Sequence, residues 1–460
     1  MPPHSDEPAP ATAAGAPEVW GYIAEVFRRD LHLFERAGGW VAYGTTSGVL
    51  RRVPSRHAEA LHALCDPGQA LAPAWDGPLR APETREWLLE LFGEVYRRRV
   101  VEQPLTSPVS VQLVLAEACN LRCTYCYGAY YERRPRRALM PPEVARRAVD
   151  FAVALGAKDI GLFGGEPLLN LPAIRAVLDH ARAAGHDLAY GMTTNATLVT
   201  DDIAAMLAAH GVRVSVSIDG PPEVHDLTRP HPDGRGSFDD VLAGIRRLER
   251  HRCLDMLEMT YSRRHPPELK PILAYLAGFT GRLSCTCVEG RQSARFADDI
   301  VSGDRLRRYY AEMLDFFFET RARGEDIAIG GINELIEAVT APTRIRRAYL
   351  CSGIMNRIAI GPDGTVYPCP ETMQPAYAMG NVMEAPSPAA FEARRREVLD
   401  RLRKGNLARK WFANLTDVCA ARLAPRRHGG WDLEDETAIG LALEDVLYRI
   451  AATGPGLTAA

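Results

Sequence analysis

No stretch of this chain offers the ~20 consecutive apolar residues needed to cross a bilayer. No Lys or Arg precedes Arg28, so the basic start of a secretory signal is lacking. An excess of one charge is lacking too: 55 Lys and Arg stand against 58 Asp and Glu, a formal charge of −3. A polycationic nucleic-acid binder would show a basic surplus or stripe. Neither nucleic acid nor membrane is therefore expected as a partner, and the expected location is cytoplasmic. No internal repeat is found. Hydrophobic residues at 47% and charged residues at 25% suit a globular protein with a substantial core. What is there is cysteine: Cys65, Cys119, Cys123, Cys126, Cys253, Cys285, Cys287, Cys351, Cys369 and Cys419. In a large chain without an export signal, clustered cysteines point to metal or redox work rather than disulfides.

Residues 1–19 hold five Pro and five Ala without apolar periodicity and read as a disordered lead-in. Short extended runs follow at 31–34, 40–43 and 49–53, punctuated by Gly38-Gly39 and Ser47-Gly48. Ser55 can cap a helix running to Cys65, and Pro82 can open a second one. Residues 20–100 thus form a small α+β unit, and 101–108, with two prolines, a linker. From 109 strand and helix alternate. Strands are predicted at 109–115, 159–163, 188–193, 212–218, 257–261 and 283–288, and helices at 142–155, 171–184, 201–210, 238–252 and 268–278. Thr200 is a candidate N-cap and Gly211 a candidate C′ residue. Such alternation predicts parallel strands with crossover helices, either an open doubly wound sheet or a partial barrel. Both place function at the strands' C-terminal ends. Residues 301–350 read as a helical bridge, 351–432 as a cysteine-bearing segment, and 433–460 as a closing helix.

The segment Cys119-Asn-Leu-Arg-Cys123-Thr-Tyr-Cys126 follows the first of these strands. Three thiolates can hold three irons of a [4Fe–4S] cluster and leave the fourth iron open. A structural zinc site would need a fourth ligand, and the loop offers none through Met140. Over 109–288 the chain resembles the radical S-adenosylmethionine (SAM) enzymes, in which the open iron binds the amino and carboxylate groups of SAM. The resemblance implies a partial (βα)6 barrel, a [4Fe–4S] cluster and SAM as cofactors, and an electron donor such as flavodoxin or ferredoxin. It carries over residue by residue. Gly164, Gly165 and Glu166, in Gly-Gly-Glu-Pro, stand where that family holds the methionine amino group, and Tyr125 stands where it places an aromatic beside adenine. Asn195, in Thr-Asn-Ala, occupies a place where the family often has Thr-Asn-Gly. Ser217 and, twelve residues on, Arg229 are similar to the ribose and carboxylate contacts of the peptide-modifying members. Val288 could touch adenine.

Further on, Cys351 and the run Gly361-Pro-Asp-Gly364-Thr-Val-Tyr-Pro-Cys369 resemble the opening of the SPASM extension, which binds auxiliary clusters in peptide maturases. The four cysteine places that should follow read Cys419, Arg422, His428 and Asp432, so the match is degenerate. One auxiliary [4Fe–4S] cluster on Cys351, Cys369 and Cys419, assisted by His428 or Asp432, and a relic fold without a cluster both remain open. Cys285 and Cys287 share a strand face, either as core residues or as thiols facing the reaction space.

The N-terminal unit, with three strands before its helix, resembles the winged leader-recognition element of maturases of ribosomally made peptides. It implies a partner: a precursor peptide whose leader pairs with a sheet edge. Sulfatase-type maturation is the alternative, but that family has an Asp base directly after the second auxiliary cysteine, where this chain has Pro370. A catalytically silent peptide binder is the other alternative. The intact cysteine loop and Gly-Gly-Glu turn argue against it.

Overall fold

The computed structural model describes residues 17–36, 38–68, 77–97, 100–102, 105–106, 108, 110–126, 138–288, 298–333, 336, 344–346, 353–402, 443–445, 447–448 and 450–451. Its centre is a parallel run of strands, β5 (Ser110–Ala116), β6 (Asp159–Gly164), β7 (Ala189–Thr194), β8 (Val212–Ser217), β9 (Leu254–Tyr261) and β10 (Arg282–Cys287). These are the six predicted strands, with most ends within a residue of expectation and β9 starting three residues earlier. The crossovers are α4 (Pro142–Ala154), α5 (Leu171–Ala183), α6 (Asp201–Ala209), α8 (Phe238–Arg250) and α9 (Lys270–Ala277). Thr200 caps α6 by accepting the Ile203 N–H at 3.2 Å, and Gly211 takes a φ of 66° after it. A short helix absent from the prediction, α7 (Pro222–Thr228), lies between β8 and α8.

Alternation within the strands separates two faces. Val111, Leu113, Ile160, Leu162, Val214, Leu257 and Met259 join the helices in the main core. The opposite face carries Thr193, Ser215, Ser217, Glu258 and Ser284, which parallel register places side by side on β7 to β10.

The sheet continues past its predicted ends, in the order β11-β10-β9-β8-β7-β6-β5-β13-β14. Strand β11 (Ala328–Gly330) follows the long helix α10 (Gly303–Ala322), and β13 (Arg357–Ile360) and β14 (Val366–Tyr367) form a hairpin docked parallel to β5. This hairpin binds the cysteine-bearing extension to the same sheet as the loop after β5. The predicted linker contains a strand, β4 (Val100–Glu102), paired with β12 (Arg344–Arg346). Nothing local announces such a pairing between segments more than 200 residues apart.

The N-terminal unit begins with α1 (Pro17–Asp30), whose first three residues fall in what composition suggested was lead-in. Trp20, Ile23, Ala24 and Phe27 recur at helical spacing and are buried. Residues 1–16 lie outside the described residues. Strands β1 (Leu31–Arg36), β2 (Gly39–Gly44) and β3 (Leu50–Val53) make an antiparallel sheet, followed by α2 (Ser55–Cys65) and α3 (Pro82–Arg97). Pro54, not Ser55, is the N-cap of α2, and no side chain caps it. One sheet face packs on the three helices through Ala42, Val49 and Val53. The other carries Phe34, Val41 and Tyr43, which share the main buried cluster with Leu443, Leu447 and Ile450 near the C-terminus. His32 to Glu444 (2.7 Å), Arg36 to Asp445 (2.7 Å) and Arg307 to Asp445 (3.1 Å) rivet this contact. Among the described residues, no helix is long and apolar enough to cross a membrane.

Candidate active site at the C-terminal ends of the strands

The loop after β5 is pinned from both sides. On one side Asn120 donates to Thr197 Oγ1 (2.8 Å), and Asn195 Nδ2 donates to Asn120 Oδ1 (2.9 Å). On the other, the Arg122 and Thr124 N–H groups donate to the Pro230 and Thr228 carbonyls (2.8 and 2.9 Å), and Thr124 Oγ1 donates to Asp299 (2.8 Å). Cys119 Sγ accepts from the Leu121 N–H (3.4 Å) and Asn195 Nδ2 (3.8 Å). Burial pushes the Cys119 thiol up to about 11 and the Cys123 thiol to about 12, with Arg229 opposing at Cys123. Cys119 is also raised by the charge of Cys126, and Cys123 by those of Cys126 and Cys119, so the three sulfurs lie within electrostatic reach of one another. Yet among the described residues no three His, Cys, Asp or Glu groups could hold a single metal ion. Three thiols on one loop can each take a separate iron of a cluster.

The Gly-Gly-Glu-Pro turn after β6 backs this loop directly. Its Gly165 N–H donates to the Ala116 carbonyl (2.7 Å) and its Glu166 N–H to that of Ala118 (2.9 Å). A Cβ on Gly164 or Gly165 would come within 2.4 Å of those same carbonyl oxygens. The glycines therefore let two protein loops touch. Glu166 is fully buried, and its carboxylate accepts from Leu168 N (3.0 Å), Thr194 Oγ1 (2.7 Å) and Asn195 N (2.8 Å). It ties the β6 turn to the β7 turn. Ala196, in place of the more frequent glycine, sits at φ 60°, a left-handed conformation costing about 1 kcal/mol for a residue with a Cβ.

Across from the cysteines lies Arg229, only 7% exposed. Its Nε stands 3.0 Å from Asp219 Oδ1, and its guanidinium lies 5.5 Å over the Tyr125 ring. Among the described residues the buried Nε makes no hydrogen bond, so its tie to Asp219 is an ion pair. Burial would raise the Asp219 carboxyl, but Arg229, His265 and His225 outweigh it and hold the group at about 2. The Asp219 N–H donates to His225 Nδ1 (3.2 Å), which places the imidazole proton on Nε2, facing Ser237 Oγ (3.0 Å).

Burial, aided by Arg229, depresses His225 from 6.5 to about 4, so its neutral form belongs to the fold. A depressed histidine contributes stability that is complete above the unfolded value and is lost as pH falls through the folded one. His225 should therefore withdraw about 3 kcal/mol of folding free energy between pH 6.5 and 4. Urea titrations at pH 7 and pH 4.5 test this. The variant His225→Gln should be less stable at pH 7 but should depend less steeply on pH. An unchanged slope would contradict the buried neutral imidazole.

Ser217 ends β8, and the adjacent Glu258 is raised by burial and bonded by Thr193 at 3.4 Å. Nothing singled out Glu258 in the sequence, although an acid alternating with Leu257 and Met259 marks the face away from the helices. Cys285 and Cys287 share register with Met259 and Tyr261, on the core-facing side. Cys285 is part of the main core, and burial pushes its thiol up to about 12. Val288 is half-buried just past β10, its N–H bonded to the Tyr261 carbonyl (2.9 Å). In the extension, Cys369 precedes a short 3₁₀ turn, with its N–H on Thr372 Oγ1 (3.1 Å). Tyr367 and Met373, on either side of it, pack with Val114 and Phe163 from the inner face of β5 and β6. Cys351, Cys419, His428 and Asp432 lie outside the described residues.

A parallel α/β sheet with a three-thiol loop at the end of its first strand, facing a buried arginine, suits a cluster site beside a group that binds a carboxylate. Residues 113–260 match the family model of the Radical SAM superfamily, and residues 351–412 that of SPASM, an iron-sulfur cluster-binding domain. The chain carries a radical SAM domain and a SPASM domain, and the radical SAM domain implies an enzyme whose cofactors are a [4Fe–4S] cluster and SAM. It is 28% identical to an uncharacterized protein of Archaeoglobus fulgidus over 307 residues, 63% of this chain and 71% of that one. It is 27% identical to the mycofactocin maturase MftC of Mycolicibacterium smegmatis over 293 residues, 62% and 71% of the two chains. In fold it is similar to native anSMEcpe with bound AdoMet, with a TM-score of 0.63 and 18% identity over 75% of this chain and 99% of that one.

Proposed function

We propose that this radical SAM enzyme matures a ribosomally made precursor peptide, capturing its leader on residues 20–100. The observation that carries the reading is the free edge of β3. Among the described residues no strand pairs with its outer side, and α3 stands beside it. The exposed Arg51–Glu94 pair joins them, a contact worth at most about 1 kcal/mol and easily opened by a peptide. A shallow surface concavity of about 470 Å³ lies on α3 at Arg85, Leu89, Glu90 and Arg97. An extended leader would gain backbone pairing from the strand edge and side-chain selection from this concavity. The likeness to a protein named as a maturase agrees. Pro370 after Cys369 disfavours sulfatase-type chemistry, which would need an acid there.

Cys119, Cys123 and Cys126 would hold the cluster, and the terminal nitrogens of Arg229 would take the SAM carboxylate. Ser217 would meet the ribose, Tyr125 and Val288 the adenine, and the Gly164–Gly165 turn, with Asn195, would form the floor. When bound, the cluster and SAM supply a 5′-deoxyadenosyl radical that abstracts hydrogen from carbon. Glu258 and the hydroxyls around it line the face on which the substrate would be held. Cys369, with Cys351 and Cys419, would carry one auxiliary cluster. A flavodoxin or ferredoxin would deliver the electron, in the reducing cytoplasm. The test is a short peptide encoded beside the gene, incubated anaerobically with enzyme, SAM and reductant. A SAM-dependent change in the peptide's mass is expected. An unchanged mass, alongside normal SAM cleavage, would overturn the peptide assignment.

A further inference from the structure

Asp219 is wholly buried, and its two oxygens have four partners from three places in the fold. Oδ1 accepts the Thr260 N–H of β9 at 3.1 Å and faces Arg229 Nε at 3.0 Å. Oδ2 accepts from Thr228 Oγ1 at 2.6 Å, at the end of α7, and from the Tyr125 hydroxyl, inside the cysteine loop. A carboxylate has about four lone-pair sites, so this one has none left for a ligand. Asp219 thus touches neither cofactor nor substrate, yet it holds both the residue next to Cys126 and the arginine opposite.

Building on the reading of Arg229 as the SAM-carboxylate group, we infer that Asp219 is a positioning residue that fixes Arg229 and the cysteine loop as one unit. It sets where the carboxylate of SAM sits relative to the cluster. Arg229 is tied to Asp219 by the ion pair at Nε, which leaves its fork of terminal nitrogens for a second carboxylate. Tyr125, clamped between Asp219 and the guanidinium, transmits the same constraint to Cys126. SAM binding and cluster environment become interdependent through a group that contacts neither.

The test uses anaerobically reconstituted full-length protein, with iron content, SAM affinity by equilibrium dialysis, and the electron paramagnetic resonance spectrum of the reduced cluster before and after SAM. Asp219→Asn should keep the iron of the wild type, weaken SAM binding by about tenfold or more, as loss of an outer-shell partner does, and blunt the SAM-induced spectral change. In an Arg229→Gln background, Asp219→Asn should add less than about twofold, because residues acting through one another are not additive. Wild-type affinity in Asp219→Asn, or losses that add in full, would overturn the inference. Should Asp219→Asn not fold, Tyr125→Phe removes only the hydroxyl link. It should alter the SAM-induced spectral change, and an unaltered spectrum would overturn the inference as well. Failure of the wild type to bind SAM would instead bring down the reading of Arg229 beneath it.

Discussion

Replacing Cys119, Cys123 and Cys126 together by alanine abolishes 5′-deoxyadenosine formation from SAM by the dithionite-reduced protein, down to the reagent background. The expectation follows from ligand chemistry: a methyl group cannot replace a thiolate on iron, and the loop has no fourth cysteine. The backbone of this loop is held by Arg122, Thr124 and Asn120 rather than by the thiols, so the variant should still fold. That makes lost activity attributable to the cluster. The same protein answers a second question, because it should retain about four irons per chain if Cys369 and its partners carry one auxiliary [4Fe–4S] cluster. Iron near zero would make the extension a scaffold and would favour redox-neutral chemistry on the peptide. Undiminished 5′-deoxyadenosine in the triple variant would contradict the assignment of the loop.

The second large effect is expected at the N-terminal unit. Deleting residues 1–100 is a poor test, because it would strip Phe34, Val41 and Tyr43 from Leu443, Leu447 and Ile450 and expose a core face. Leu89→Glu places a charge in the α3 concavity without touching that contact. Substrate capture should weaken by about tenfold or more, as removal of a central apolar anchor does at an interface. The loss should fall on KM for the full precursor and not on SAM cleavage without peptide. A leaderless core peptide should be modified as by the wild type. Equal losses with and without the leader would mean that the concavity supports the fold and not recognition.

Much of this was legible in the residues. The barrel strands were readable because their outward faces repeat Val, Leu, Ile and Met at every second position, so both period and ends stood out. The cysteine loop was legible because its spacing has few other uses. Less visible was whatever depends on distant pairing: β4 with β12, and the β13–β14 hairpin on β5, have partners that no local pattern names. Helix α1 did carry a signal in Trp20, Ile23 and Phe27, masked by the Pro- and Ala-rich text before it. The polar residues around the site were identifiable by type but not by partner. Glu166 stood in a motif associated with cofactor binding, yet its carboxylate is spent on Thr194 and two backbone N–H groups. Asp219, followed by Gly220, is of a residue type common in turns, and only the fold brings Tyr125, Thr228, Arg229 and Thr260 to it.

The most direct test of the central claim, that a SAM-derived radical is turned on a peptide carbon, is isotope transfer. The precursor encoded beside the gene is produced fully deuterated at carbon and incubated anaerobically with enzyme, SAM and reductant in ordinary water, and the 5′-deoxyadenosine is analysed by mass spectrometry. Transfer of one deuterium into 5′-deoxyadenosine, in step with modification of the peptide, is the predicted result. 5′-Deoxyadenosine without deuterium, formed while the peptide is modified, would contradict it.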